Sequence, residues 1–299
     1  MSQTPLLVRQ LNAQRARGEA PFAIFTDLDC TFVVEGNAAA ADAAGQLFEQ
    51  AAAADWPLIA ITGRGSARLQ RELAQGVLPP FSALIGAAGT EILLRQGASS
   101  YIPDKTYATQ MRRLFSRSSV LRTAKQLISD HSGANLCLQP GVAELYKVSL
   151  HFLAASHKAC ADIAAPFRQA FPKLKIIICE EIYYNAKHRQ GPRRYNLDIV
   201  PANKSDAVRY LMDAYGIQCG LVAGDSGNDV DALLMPGLAG VLVGGHRPEA
   251  AHALAAHAAA SDIFIDTDPA RVGAQSILHV LDMLPTRAGT AQRPVAPKS

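Results

Sequence analysis

Six apolar runs of strand length punctuate the chain: Ala23 to Thr26, Leu58 to Ile61, Ala83 to Ile85, Leu221 to Ala223, Val241 to Val243 and Ile263 to Ile265. Most are separated by stretches of helical character, such as Ala38 to Ala54 and Ser66 to Gln75. A short strand that is apolar throughout, not at alternate positions, needs cover on both faces, and helices connecting parallel strands supply it. The predicted class is therefore α/β with a parallel sheet. With 299 residues and 49% hydrophobic content, the chain is long enough for a sizeable core and a second unit, which excludes a disordered polymer.

The middle of the chain follows another pattern. Thr109 to His131 reads as one long amphipathic helix, followed by candidate strands at Leu136 to Gln139 and Tyr146 to Phe152 joined through Pro140-Gly141. A second helix, His157 to Phe171, leads to strands at Leu174 to Cys179 and Tyr195 to Val200. Helices bracketing antiparallel-type strands predict an inserted α+β unit over residues 99–198, carried on a core of residues 1–98 and 199–285, with a disordered tail at 286–299. Residues 101–195 hold 15 Lys+Arg against 6 Asp+Glu, net +9, and the remainder holds 14 against 20, net −6. A basic insertion facing an acidic frame suits an anionic ligand between them. Its cations are scattered and aromatics are only 6%, so no nucleic-acid partner is expected. Five widely spaced cysteines without a Cys-x-x-Cys pair fit reduced thiols, and no run of 18 apolar residues occurs. The expectation is a cytoplasmic, unprocessed protein without a membrane segment, monomeric or homodimeric.

The chemistry gathers where the apolar runs end. Asp27-Leu28-Asp29-Cys30-Thr31 follows the first run. Two carboxylates about 4 Å apart repel by roughly 4 kcal/mol at an effective dielectric near 20, a cost that a cation or a reaction would justify. Thr62-Gly63-Arg64 follows the second run, where a hydroxyl and free backbone N–H groups can bind a phosphate oxygen, although Thr62 or Ser66 would serve equally as a helix cap. Gly224-Asp225-Ser226-Gly227-Asn228-Asp229 follows a third. If a helix begins near Ser226, Asp225 and Asp229 approach one point near its start. Lys204, at the start of another candidate helix, could neutralise a carboxylate nucleophile and hold a phosphoryl oxygen. Asp27, Asp225 and Asp229, with the carbonyl of Asp29, form a hard-oxygen set suited to Mg²⁺.

In their order and separations these motifs resemble the haloacid dehalogenase (HAD) superfamily of aspartate-nucleophile phosphatases. The insertion between the second and third motifs resembles subclass IIB. Asp27-Leu28-Asp29, Thr62-Gly63-Arg64, Gly89-Thr90-Glu91-Ile92, Leu197-Asp198-Ile199 and Gly224 to Asp229 resemble its sucrose-phosphate phosphatase branch. The resemblance implies a Rossmann-like core with a cap that closes over the substrate. It further implies that Asp27 is the nucleophile and that Asp29 is the general acid and base. Thr62, Gly63, Arg64, Lys204 and Asn228 would contact the substrate, and Asp27, Asp29, Asp225 and Asp229 would form the Mg²⁺ set. Relatives that dehalogenate lack the second acid, so Asp29 disfavours that chemistry. Three departures stand out: Cys30, where relatives carry a small or amide residue; Ser205 in place of Gly; and Val243-Gly244-Gly245-His246 in place of Gly-Asn-Ala.

The expected activity is hydrolysis of a sugar-phosphate monoester, with sucrose 6-phosphate the leading candidate. A glycosyl-phosphoglycerate would suit the basic cap, and a phosphomutase or an inactive sugar-phosphate sensor remain the competing classes. Candidate cap contacts are Gln139, Glu144, Lys147, Lys187, His188, Arg189, Arg193 and Arg194.

Overall fold

The structure, a computed structural model, describes residues 4–98, 100–130, 135–140, 144–155, 157–181, 185, 191–257 and 262–284. Its helices are α1 (Leu6–Ala16), α2 (Ala38–Ala53), α3 (Ser66–Ala74), α4 (Lys105–Leu114), α5 (Arg117–Asp130), α6 (His157–Ala170), α7 (Lys204–Tyr215), α8 (Val230–Leu233), α9 (Pro248–Ala255) and α10 (Ala274–Met283). Its strands are β1 (Phe22–Asp27), β2 (Leu58–Ile61), β3 (Ala83–Gly86), β4 (Glu91–Arg95), β5 (Tyr101–Pro103), β6 (Cys137–Leu138), β7 (Val148–Ala154), β8 (Lys175–Glu180), β9 (Arg193–Val200), β10 (Cys219–Gly224), β11 (Leu238–Leu242) and β12 (Ile263–Ile265). Among the described residues no helix is long and apolar enough to cross a membrane.

Eight strands form one sheet in the order β12-β11-β10-β1-β2-β3-β4-β5. The six strands from β12 to β3 are parallel, and β4 and β5 extend the edge antiparallel. All six predicted runs are these parallel strands; the inner ones are buried on both faces, and the edge strand β12 is half-buried. Ile24, Leu58, Leu84 and Leu221 lie in one apolar layer with Leu47 of α2 and Ile277 of α10. Phe25, Ile59, Ile85 and Val222 lie in the other with Val208 and Leu211 of α7. The chain runs from β1 outward through β2 and β3 on one side and returns to β10 on the other. The strand order therefore switches direction at β1, leaving a crevice at the carboxyl ends of β1, β2 and β10.

The second sheet, in the order β6-β7-β9-β8, is antiparallel throughout. Sheet membership places Tyr101–Pro103 with the core and Arg193–Val200 with the inserted unit. The single helix expected over Thr109 to His131 is two helices, α4 and α5. Phe115 is extended (φ −131°, ψ 120°) and buried, so burial of its ring ends α4, whose start is set by the Asp104 side chain accepting from Tyr107 N at 2.9 Å.

One close approach ties the edge of the core sheet to α7. Gly89, in a 3₁₀ turn after β3, has φ +106°, and a Cβ there would lie 2.1 Å from the carbonyl oxygen of Asn203, the residue preceding Lys204. The turn thus sets where α7 begins. Gly89→Ala combines a strained backbone with a clash against another backbone, and it should cost at least about 2 kcal/mol. The fall in the urea midpoint measures this, and a loss below about 0.5 kcal/mol would contradict the packing described.

Candidate active site

Asp27 ends β1, Thr62 follows β2 and Asp225 follows β10, so three adjacent parallel strands deliver their terminal side chains to one crevice. Lys204 arrives from the opposite side at the first position of α7. That helix start is fixed by a reciprocal capping box. Asn203 Oδ1 accepts from Asp206 N at 3.2 Å, and Asp206 Oδ2 accepts from Asn203 N at 2.9 Å. Lys204 Nζ then lies 3.0 Å from Asp27 Oδ1 and 2.7 Å from Asp229 Oδ1, and donates to Asn228 Oδ1 at 3.3 Å.

The loop after β10 differs from the expected helix start near Ser226. The helix α8 begins at Val230, and Asp229 sits at its cap position. From there its Oδ2 turns back to accept from Asp225 N at 3.3 Å, Ser226 N at 3.1 Å and Ser226 Oγ at 3.0 Å. Gly224 permits the fold-back, because a Cβ there would lie 2.5 Å from the Cβ of Asp229. Asp225 Oδ1 accepts from the buried Thr31 hydroxyl at 3.3 Å.

Asp27, Asp225 and Asp229 are all buried and present ligand oxygens within 4.8 Å of one another, a grouping not repeated among the described residues. Burial pushes the Asp27 carboxyl well above its usual range; Lys204 opposes this, while Asp229 and Asp225 add to it. Burial, then Asp229, pushes Asp225 up to about 7. Burial works against the charge on Lys204, but the carboxylates of Asp229 and Asp27 outweigh it and raise its pKa. Three carboxylates around one ammonium leave negative charge uncompensated in a dry site, which a hard divalent cation would balance. The donor set therefore fits Mg²⁺.

Asp29 lies outside this cluster. Its carboxylate is gripped by Arg64, whose Nε donates to Oδ2 at 3.2 Å while another guanidinium nitrogen donates to Oδ1. Arg64, expected among the phosphate-binding residues, shares its charge between Asp29 and Glu72, where the second bond is 2.6 Å. Thr62 is buried, and its Oγ1 accepts from Arg64 N at 3.2 Å. Cys30 occupies the left-handed region (φ 61°), and burial pushes its thiol up to about 11, so it stays protonated. His246 folds its Nδ1 onto the carbonyl oxygen of Val243 at 2.9 Å.

The inserted sheet turns one face to this crevice. Lys147 Nζ donates to Gly63 O at 3.1 Å, and Asn228 Nδ2 donates to Cys179 Sγ at 3.4 Å. The same face carries Ser149, His151, Asn196 and Asp198, with His151 opposite Asn196 and Ser149 opposite Asp198 across the β7–β9 register. Val148, Leu150, Phe152, Tyr195 and Leu197 point the other way into the apolar layer beneath α5 and α6. Strict alternation along residues 147–152 and 194–199 encodes this division, a signal from which Ser149, His151 and Asn196 were readable in advance. Thr31 carried no such signal. Of the other expected contacts, Gln139 reaches Ser149 O through its backbone N–H, Arg193 pairs with Glu180, and Arg194 pairs with Glu181 at 3.1 Å. Lys187, His188 and Arg189 lie outside the described residues, as does the tail at 286–299.

No curated protein sequence matches the chain. Among solved structures, a sucrose-phosphatase from Synechocystis, determined with sucrose and phosphate, superposes with a TM-score of 0.67 at 21% identity, covering 88% of this chain and 98% of that one. A HAD-like hydrolase from Bacillus subtilis gives 0.56 at 18% identity over 92% and 99% of the two chains. A HAD subclass IIB sugar phosphatase gives 0.56 at 14% over 88% and 100%. At these identities the likeness is one of fold. The sequence itself matches the family Sucrose-6F-phosphate phosphohydrolase across residues 20–283, a span that takes in both the crevice and the sheet that covers it. The chain therefore belongs to the sucrose-6F-phosphate phosphohydrolase family of the HAD superfamily and is a phosphoric monoester hydrolase.

Proposed function

We propose that this enzyme hydrolyses a sugar-phosphate monoester through an aspartyl-phosphate, with sucrose 6-phosphate as its substrate. The observation that carries the reading is the buried Asp27–Lys204–Asp229 cluster lying beneath a polar, charge-paired cap face. A carboxylate oxygen of Asp27 bonds to phosphorus as the bond from phosphorus to the sugar oxygen breaks, and Asp29 gives that oxygen its proton. Water then attacks phosphorus, returns a proton to Asp29 and releases phosphate with Asp27 restored. Thr62, the backbone at Gly63 and Lys204 hold the phosphoryl oxygens. Mg²⁺, held by Asp27, Asp225, Asp229 and the carbonyl of Asp29, would screen the charge between nucleophile and phosphate. Asn228, bonded to both Lys204 and Cys179, keeps the ammonium in register with the cap.

The cap face favours a neutral leaving group over a second acidic one. The cations of the sheet face are paired within the cap: Lys147 lies 3.8 Å from Asp198, and Arg194 pairs with Glu181. Burial, reinforced by Arg194, lowers the pKa of His151 and keeps its ring neutral. Ser149 Oγ, His151 Nε2 and Asn196 Oδ1 are buried without a hydrogen-bond partner. Unspent neutral donors and acceptors on one face suit sugar hydroxyls, because buried polar atoms left unpaired cost stability. The sucrose and phosphate held by the Synechocystis neighbour agree with this choice over a glycosyl-phosphoglycerate. Cys30, Cys137, Cys160, Cys179 and Cys219 form no disulfide among the described residues, which suits a reducing compartment, and we place the enzyme in the cytoplasm.

Ranked by kcat/KM with Mg²⁺, sucrose 6-phosphate should exceed glycosyl-phosphoglycerates by at least about tenfold, about 1.4 kcal/mol of transition-state binding. The reverse order would transfer the assignment to an acidic leaving group, and isomerised sugar phosphate in place of inorganic phosphate would mark a mutase. Asp27→Asn should abolish phosphate release while leaving the fold intact, and retained hydrolysis would end the covalent mechanism. Because a proton on Asp225 competes with the cation below about pH 7, apparent Mg²⁺ affinity should fall roughly tenfold per unit as pH drops from about 7 to 6 and level off above it. A Mg²⁺ titration independent of pH across that window would contradict the site's electrostatics.

A further inference from the structure

Arg64 and Asp29 form an arrangement that the phosphate-binding role expected of the arginine does not explain. The guanidinium takes both oxygens of Asp29, Nε to Oδ2 at 3.2 Å and a terminal nitrogen to Oδ1. Behind it, Arg64 donates to Glu72 Oε2 at 2.6 Å, and Glu72 Oε1 accepts from Arg68 Nε at 2.7 Å. The Arg64 side chain is 11% exposed and Glu72 14%, whereas Asp29 is 38% exposed. Asp29 also stands one residue before the left-handed Cys30, in a loop whose strand contact is the single bridge from Asp29 to Val33. A half-exposed carboxylate on such a loop has several rotamers open to it. The fork selects one of them, because two parallel N–H donors fix the carboxylate plane as well as its position. A guanidinium already shared between two carboxylates also has little charge left to offer a phosphate.

We infer that Arg64 is a positioning residue for proton transfer: it acts on the reaction by orienting Asp29, and Glu72 in turn orients Arg64. The inference rests on the reading of Asp29 as the acid and base. The grip occupies one edge of the carboxylate and so fixes the direction of the lone pairs that remain. One of these carries the proton delivered to the sugar oxygen as the bond from phosphorus to that oxygen breaks and the Asp27 oxygen bonds to phosphorus. Proton delivery matters for an alkoxide leaving group and hardly at all for a nitrophenolate, which departs unprotonated. A residue that serves only the proton is therefore exposed by its dependence on the leaving group.

The test is single-turnover release of the leaving group by the full-length Mg²⁺-loaded enzyme, with the best sugar phosphate of the panel above and with 4-nitrophenyl phosphate. Arg64→Met should slow release from the sugar phosphate by about 10²-fold, in the range of a lost general acid. The loss on 4-nitrophenyl phosphate should be smaller by at least about tenfold. Arg64→Lys, which keeps the charge but not the fork, should recover only part of the loss, and Glu72→Gln should show the same imbalance in weaker form. Should Arg64→Met fail to fold by circular dichroism, the lysine and Glu72 variants carry the same comparison. Equal losses on the two substrates, or a raised KM for both at unchanged turnover, would overturn the inference and return Arg64 to the phosphate. Asp29→Asn separates the two readings. If it shows no dependence on the leaving group, the acid role of Asp29 fails; if it shows that dependence and the Arg64 variants do not, the positioning role fails.

Discussion

The ammonium of Lys204 lies between the carboxylates of Asp27 and Asp229 in a space closed to solvent. Such a group would be intolerable as an isolated charge, and the carboxylates would be equally so without it. Much of the core can be understood as the apparatus that brings these charges to one point. Parallel pairing of β1 with β2 and β10 puts Asp27, Thr62 and Asp225 side by side at the carboxyl edge. The capping box at Asn203 and Asp206 sets the first turn of α7, and Gly89 lets the neighbouring turn pack against the backbone that leads into it. Removing any one support would leave a buried charge unbalanced, so packing and catalysis are constrained together.

The same balance makes the cluster suited to a cation. Burial and repulsion from neighbouring carboxylates raise the pKa of Asp27 well above its usual range and that of Asp225 to about 7, which works against the ionised form of each. In the proposed mechanism a divalent ion would lower the free energy of their charged forms and, with Lys204, would offset the charge of an incoming phosphate. The cap contributes in a different way. On its crevice face Lys147 lies 3.8 Å from Asp198 and Arg194 pairs with Glu181, and contacts with the core at Gly63 and Asn228 place this face over the turn after β2. The net positive charge of the insertion is therefore a poor guide to its substrate, since the charges that face the crevice cancel locally.

The framework was legible in the sequence because its inner strands are buried on both faces and so appear as unbroken apolar runs, three of which lead into the candidate residues Asp27, Thr62 and Asp225. The edge strands β4 and β5 were not read, for Glu91 and Arg95 bound a run of three apolar residues and β5 is three residues long. The break between α4 and α5 was hidden because Phe115 keeps the helical apolar spacing while its backbone is extended. The core motifs named Asp27, Thr62, Lys204, Asp225 and Asp229 individually, and the structure brings these five to one crevice. The partner of Asp29 was beyond reach, since a fork between residues 35 positions apart is fixed by the ends of two strands and by Glu72, eight residues beyond Arg64 in α3. The polar face of the cap was present in the alternation of residues 147–152 and 194–199, and only the pairing of β7 with β9 shows that the two stretches share one surface.

In the proposed mechanism phosphate passes through Asp27. Enzyme quenched in acid during turnover of a sugar phosphate and reduced with borohydride converts an acyl-phosphate side chain to the alcohol, which mass spectrometry of the peptide around residues 20–35 would locate. The reduced side chain is expected at position 27 alone, dependent on substrate. The same mark at another carboxylate, or none at position 27 while phosphate is being released, would contradict it.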